Sequence, residues 1–172
     1  DTERELWAIF TRKPFESMIA LENVPGELVL RYLDYPSYFD LLSLDIPSTK
    51  DGILDQLLTE KLIVKDEAGA YNITNLGAIL FARRLSDFPS LERKAIRVIK
   101  YTGNNRIVGA SREQIGGKGY ANGFEGLINY INGLLPVNEV MGAALRKDVP
   151  MYPELAVREV VANAVIHHKP SY

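Results

Sequence analysis

Apolar residues return every three or four positions along some stretches of this 172-residue chain and every second position along others. Those two periods separate helices from strands. Thr2 is placed to cap a first helix whose opening turn holds Glu3 and Glu5, acids that favour a helix start. Phe15 to Glu22 reads as a second short helix or a strand, and Pro25-Gly26 as a break. Two short helices follow, over 27–34 and 37–44, ended by Ile46-Pro47. Ser48 or Thr49 then caps a helix over Lys50–Lys61, where Ile53, Leu54, Leu57 and Leu58 repeat at helical spacing. The stretch LIVKDEAGAYNITN holds two β-rich runs joined by an acidic, glycine-containing turn, which predicts a hairpin. Leu76 to Arg84 is a further apolar helix. Helices followed by a hairpin make a winged-helix-like lobe, with Tyr32, Tyr35, Tyr38 and Phe39 packing it rather than stacking bases.

The second half reads as a mixed sheet with helices. RKAIRVIKYTG (93–103) predicts a strand with Ile96 and Val98 facing inward, and Arg106 to Arg112 another. GGKGYANG (116–123) reads as a flexible loop. Phe124 to Leu135 is a helix buried along Phe124, Leu127, Ile128, Ile131 and Leu135. Glu139 to Lys147 reads as one strand, with Met141, Ala143 and Leu145 alternating. The last predicted helix runs from Pro153, a residue suited to a helix start, to His168. The fold class is therefore α+β, with a helical, winged-helix-like lobe over 1–84 and an α+β lobe over 85–172. The chain has no internal repeat and no low-complexity stretch.

The last helix, PELAVREVVANAVIHH, carries the most informative pattern. It is apolar on almost every side, which predicts burial. Yet Glu159 and Asn163 lie four residues apart and so share a face. Burying a carboxylate and an amide is costly without partners, so the pair is expected to face a polar ligand or a watery site. The chain ends nine residues after Asn163 and so holds part of that site; its start on Asp1 rather than Met suggests a piece of a longer protein. A helix using both side chains for interdomain hydrogen bonds is the alternative.

Charge and composition narrow the classes. Apolar residues make up 47% and charged residues 24%, ordinary values for a globular protein. No apolar run approaches the roughly 20 residues needed to span a bilayer, and the start lacks a signal-peptide pattern. With no cysteine there is neither a disulfide framework nor a thiolate metal site, and a cytoplasmic location fits. The net charge of −2 hides asymmetry: residues 1–82 carry 14 acids and 7 bases, and residues 83–118 carry 9 bases and 3 acids. Arg93, Lys94, Arg97, Lys100 and Arg106 are thus candidate phosphate contacts. The alternative is a basic sheet paired with the acidic lobe. The helix Lys50–Lys61, with Asp51, Asp55 and Glu60, is too acidic to read a DNA groove.

Other chemistry is disfavoured. In GGKGYANG the earlier P-loop glycine is replaced by Arg112, and Gly119 stands where Ser or Thr should follow Lys118. His167 and His168 are adjacent, so they point to different helical faces and cannot clamp one metal together.

Glu159-x-x-x-Asn163-Ala164 resembles the N-box of the GHKL ATPase superfamily, which includes type II topoisomerase subunits and sensor histidine kinases. YPELAVREVVANAVIHH, with GAILFARRL, RKAIRVIKYTGNNR and GYANGFEGLINYINGLLP upstream, resembles bacterial RecG-related ATP-dependent DNA helicases and transcriptional regulators. In that family a Schlafen AlbA-type DNA-binding domain precedes a middle region and a C-terminal GHKL-like domain. The resemblance covers essentially the whole chain as that middle region, ending at the N-box. It implies that Glu159 orients or deprotonates the water attacking the γ-phosphate, and that Asn163 gives an oxygen to the Mg²⁺ of bound ATP. It further implies DNA as a partner, and the alternative function is an interaction or homodimer scaffold without a nucleotide role.

The chain departs from the family after His167, where Lys169 and Pro170 replace an acid and an aromatic residue. The acidic, glycine-containing adenine box and the glycine-rich lid are missing from it, and no Walker motif supports a motor. Adenine needs a shaped apolar pocket, so ATPase activity is an expectation for the full-length protein. This chain alone is expected to be inactive and to bind no ATP.

Overall fold

A computed structural model of the chain describes residues 14–101, 110–141 and 146–167. The helix capped by Thr2 lies outside them, as does Arg106. Two compact units are formed: Asp1–Arg93 with Gly117–Asn122, and Lys94–Gly116 with Gly123–Tyr172. The architecture is α+β, as the two periodicities predict.

In the first unit a short 3₁₀ turn at Phe15–Ser17 leads into strand β1 (Ile19–Val24), so the ambiguous early stretch resolves mainly as a strand. Helices α1 (Gly26–Tyr32), α2 (Tyr35–Leu41) and α3 (Lys50–Thr59) follow, then strands β2 (Ile63–Lys65) and β3 (Tyr71–Thr74) and helix α4 (Asn75–Phe81). The sheet is antiparallel in the order β1-β3-β2. Three helices lie between the first strand and the β2–β3 pair, and β3 is central in the sheet.

The helices start where side chains supply the missing backbone partners. Thr49 Oγ1 accepts from Gly52 N at 3.2 Å, and Thr74 Oγ1 accepts from Gly77 N at 3.1 Å, each filling one of the open N–H sites of a first turn. Thr74 is buried and also donates toward the Lys61 and Leu62 carbonyls, both at 2.9 Å. It therefore ties the end of α3 to the start of α4. Gly77 is required by the same closeness, since a Cβ there would stand 2.1 Å from the Leu62 carbonyl oxygen.

The core of this unit is aromatic and aliphatic. Tyr38 and Phe39 are buried, and Tyr38 meets Phe81 edge-on with centroids 5.6 Å apart. Gln56 Nε2 donates to the Tyr38 hydroxyl at 3.1 Å. Ile53, Leu54 and Leu57 fill the α3 side of the core. Leu85, Phe88 and Leu91 are also buried, which carries the first unit on to Arg93.

The second unit contains strands β4 (Arg97–Tyr101) and β5 (Ala110–Ile115), helix α5 (Phe124–Asn132), strands β6 (Val137–Met141) and β7 (Arg146–Pro150), and helix α6 (Glu154–Ile166). β4 pairs with β5, and β6 with β7, as separate antiparallel two-stranded sheets. The stretch expected as one strand over Glu139–Lys147 is instead divided between the facing ends of β6 and β7, with Met141 opposite Arg146; Ala143 and Leu145 lie outside the described residues. Alternation is the same in one long strand and in two paired short ones, so the period could not separate them. On α5, Ile128 is buried and the other apolar stripe residues are half-buried. Ile96 and Val98 are half-buried, as their alternation suggests.

GGKGYANG is not a free loop. Gly119 N donates to Ala82 O at 2.9 Å, Tyr120 N to Ile79 O at 2.7 Å and Ala121 N to Leu80 O at 2.9 Å. Gly119 is buried, and a Cβ on it would come within 2.5 Å of the Leu80 carbonyl oxygen. The glycine serves close backbone approach to the end of α4 rather than flexibility. Among the described residues no helix is long and apolar enough to cross a membrane.

Candidate functional site

Helix α6 starts directly after Pro153, whose carbonyl accepts from Ala156 N at 3.0 Å and Val157 N at 3.2 Å. One side of it is held down. Val157, Arg158, Val161, Ala162 and Val165 are half-buried, at the three- and four-residue spacing of one helical face. Arg158 forms a two-pronged pair with Glu125 of α5, Nη1 lying 2.8 Å from Oε2, and its guanidinium lies 5.5 Å from the Phe124 ring centroid. Its hydrogen bond lowers the Glu125 carboxyl below the usual range, and Glu125 in turn raises the Arg158 guanidinium. The pair is open to solvent, so it orients α6 more than it stabilises the fold.

The opposite side is bare. Leu155, Ala156, Glu159, Val160, Asn163, Ala164, Ile166 and His167 are all exposed. Leu155 is 77% exposed, Val160 69% and Ile166 74%. Burial of this helix was expected from its all-round apolarity, and the structure corrects that: none of its residues is buried. The sequence counts apolar residues but does not say how many faces have a neighbour.

Glu159 and Asn163 do share a face, and it is the uncovered one. Full burial of each large apolar neighbour would contribute about 1.5–3 kcal/mol. A carboxylate and an amide one turn apart supply acceptors and a donor there. This donor set fits a nucleotide-bound Mg²⁺, which takes few protein ligands and keeps waters and phosphate oxygens. Among the described residues no group of three His, Asp or Glu side chains could hold a metal by itself.

The basic candidates are dispersed. Arg93, Arg97 and Lys100 are exposed and Lys94 is half-buried. Arg97 pairs with Glu113 at 3.1 Å, and Lys100 donates to the Leu134 carbonyl at 3.1 Å. Part of this charge is therefore used within the second unit. On α3, Asp51 and Asp55 are exposed, and Lys50 is tied to Glu27 at 3.0 Å.

Two features escaped the sequence reading. Asp34 accepts from Ser37 Oγ at 2.9 Å and Asn122 Nδ2 at 3.2 Å, with Arg83 Nη1 3.5 Å away. Burial pushes the Asp34 carboxyl up, but Asn122, Ser37 and Arg83 together hold it below the ordinary value. The second is the exposed apolar segment Leu41–Ile46, whose signal was the run LLSLDI itself. Comparison with family models, curated proteins and solved structures gives no match to this chain.

Proposed function

We propose that this chain is the connecting portion of a bacterial, cytoplasmic DNA-associated regulator of the RecG-related kind, with Glu159 and Asn163 on one wall of an ATP·Mg²⁺ site. The observation that carries the reading is the polar pair set in the middle of an otherwise apolar, uncovered face of α6. Asn163 would hold the metal through its amide oxygen, and Glu159 would orient the attacking water. Mg²⁺ supplies charge neutralisation at the phosphates. The remaining walls belong to the rest of the full-length protein, where DNA binding also resides, aided by Arg93, Lys94, Arg97, Lys100 and Arg106.

Calorimetry of ATP·Mg²⁺ with the full-length protein tests this. Asn163→Ala should weaken binding at least tenfold, about 1.4 kcal/mol, while Glu159→Gln should retain binding and lose hydrolysis. Unchanged affinity in the Asn163 variant sinks the nucleotide reading. DNA affinity should fall steeply with salt and drop further on charge reversal at Arg93, Arg97 and Arg106.

One observation favours a second reading, a homodimer scaffold. Two antiparallel copies of α6 would set Leu155 against Ile166 and the Glu159 acceptor against the Asn163 donor, a self-complementary face of the kind a two-fold axis requires. Sedimentation equilibrium separates the two, because this reading requires Leu155→Asp to turn a dimer into a monomer and ATP to have no effect.

A further inference from the structure

The end of α2 runs into the most apolar exposed stretch among the described residues of the first unit. Leu41 is 56% exposed, Leu42 52%, Leu44 43% and Ile46 50%. Four large apolar side chains within six residues are a patch rather than the scattered exposure every surface has.

The backbone that carries them is ordered. Leu44 N donates to Phe39 O at 2.9 Å and Ser43 N to Asp40 O at 3.0 Å, with Ser43 at φ 53. This is the Schellman closure of a helix, and it fixes the direction in which Leu41, Leu42 and Leu44 leave the chain. Such rigidity lowers the ordering cost of docking.

Charge selects the occupant. Asp40 and Asp45 are exposed within or next to the segment, and Lys50, the next base along the chain, is engaged by Glu27. A second copy meeting this patch through the same patch would bring like charges together, which is costly. Nucleic acid and anionic membrane are repelled for the same reason. We infer that Leu41–Ile46 docks a protein segment with an apolar centre and a Lys/Arg rim, such as one face of a cationic amphipathic helix. This segment belongs to the first unit and α6 to the second, and its test does not depend on nucleotide.

The test uses the ¹⁵N-labelled chain titrated with a synthetic leucine/lysine amphipathic helical peptide, with a leucine/glutamate peptide of the same pattern as control. The expected result is amide shifts concentrated at residues 40–46 with the lysine peptide and none with the glutamate peptide. Leu42→Ser/Leu44→Ser and Asp40→Lys/Asp45→Lys should each weaken binding at least tenfold. Both double variants change exposed positions, and unchanged spectra elsewhere confirm that the fold persists. Shifts centred on α3 or on β4–β5, or affinity unaffected by either variant, overturn the inference. So does self-association of the free chain that Leu42→Ser/Leu44→Ser abolishes, which would make a second copy the occupant.

Discussion

Ser43 and Gly77 set opposite constraints on single residues. Ser43 sits at φ 53 in the left-handed region, which costs an L side chain roughly 1–2 kcal/mol and which glycine adopts freely. Ser43→Gly should therefore raise stability by about 0.5–1 kcal/mol, since part of the relief is returned as unfolded-state entropy; the urea midpoint followed by circular dichroism measures it. Gly77 cannot accept even a methyl group, because the Leu62 carbonyl oxygen lies 2.1 Å from where the Cβ would go. Gly77→Ala should cost roughly 3 kcal/mol, the upper end for overpacking, because backbone must move. The same denaturation series reads both signs. Neither constraint was visible from composition, as each depends on which backbone comes close.

At the scale of elements, the segment Gly117–Asn122 lies in sequence between β5 and α5 yet belongs to the first unit. Its backbone bonds to the end of α4, and Asn122 reaches both the Ala82 carbonyl at 3.0 Å and the Asp34 carboxylate. Asp34 is held below its ordinary value in the folded chain. A depressed carboxylate contributes stability that is present above its unfolded pKa and lost as pH falls through its folded pKa. Amide protection of Gly119, Tyr120 and Ala121, corrected for intrinsic exchange, should thus decline below about pH 4. Asp34→Asn should lower that protection at neutral pH and flatten its acid dependence. Protection that stays constant down to pH 2 would mean Asp34 does not hold the segment.

For the whole molecule, the buried apolar side chains among the described residues belong to the first unit, with Ile128 the exception. The second unit presents two separate two-stranded sheets, and isolated hairpins are marginal in water. Hydrogen exchange in increasing urea should show β4, β5 and α6 opening before β3 and α3, with less surface exposed in the first step. A single coincident transition would instead mean that the two units are energetically coupled.

The elements of the first unit were largely legible because local rules agree with one another there. Thr49, one of the two expected caps, does cap its helix, Ile53, Leu54 and Leu57 keep helical spacing, and the acidic Gly69 turn joins two β-rich runs; the Thr74 cap was not foreseen. The shared face of Glu159 and Asn163 was equally legible, since four residues in a helix fix it. Tertiary structure alone decided what each face meets. It left one side of α6 uncovered, divided Glu139–Lys147 between the paired strands β6 and β7 and pinned Gly119 against α4. It also joined Asp34 to Asn122, 88 positions apart. Periodicity encodes which residues share a face, because helix and strand geometry are local. Which neighbour covers that face depends on contacts between distant segments, and no local pattern contains them.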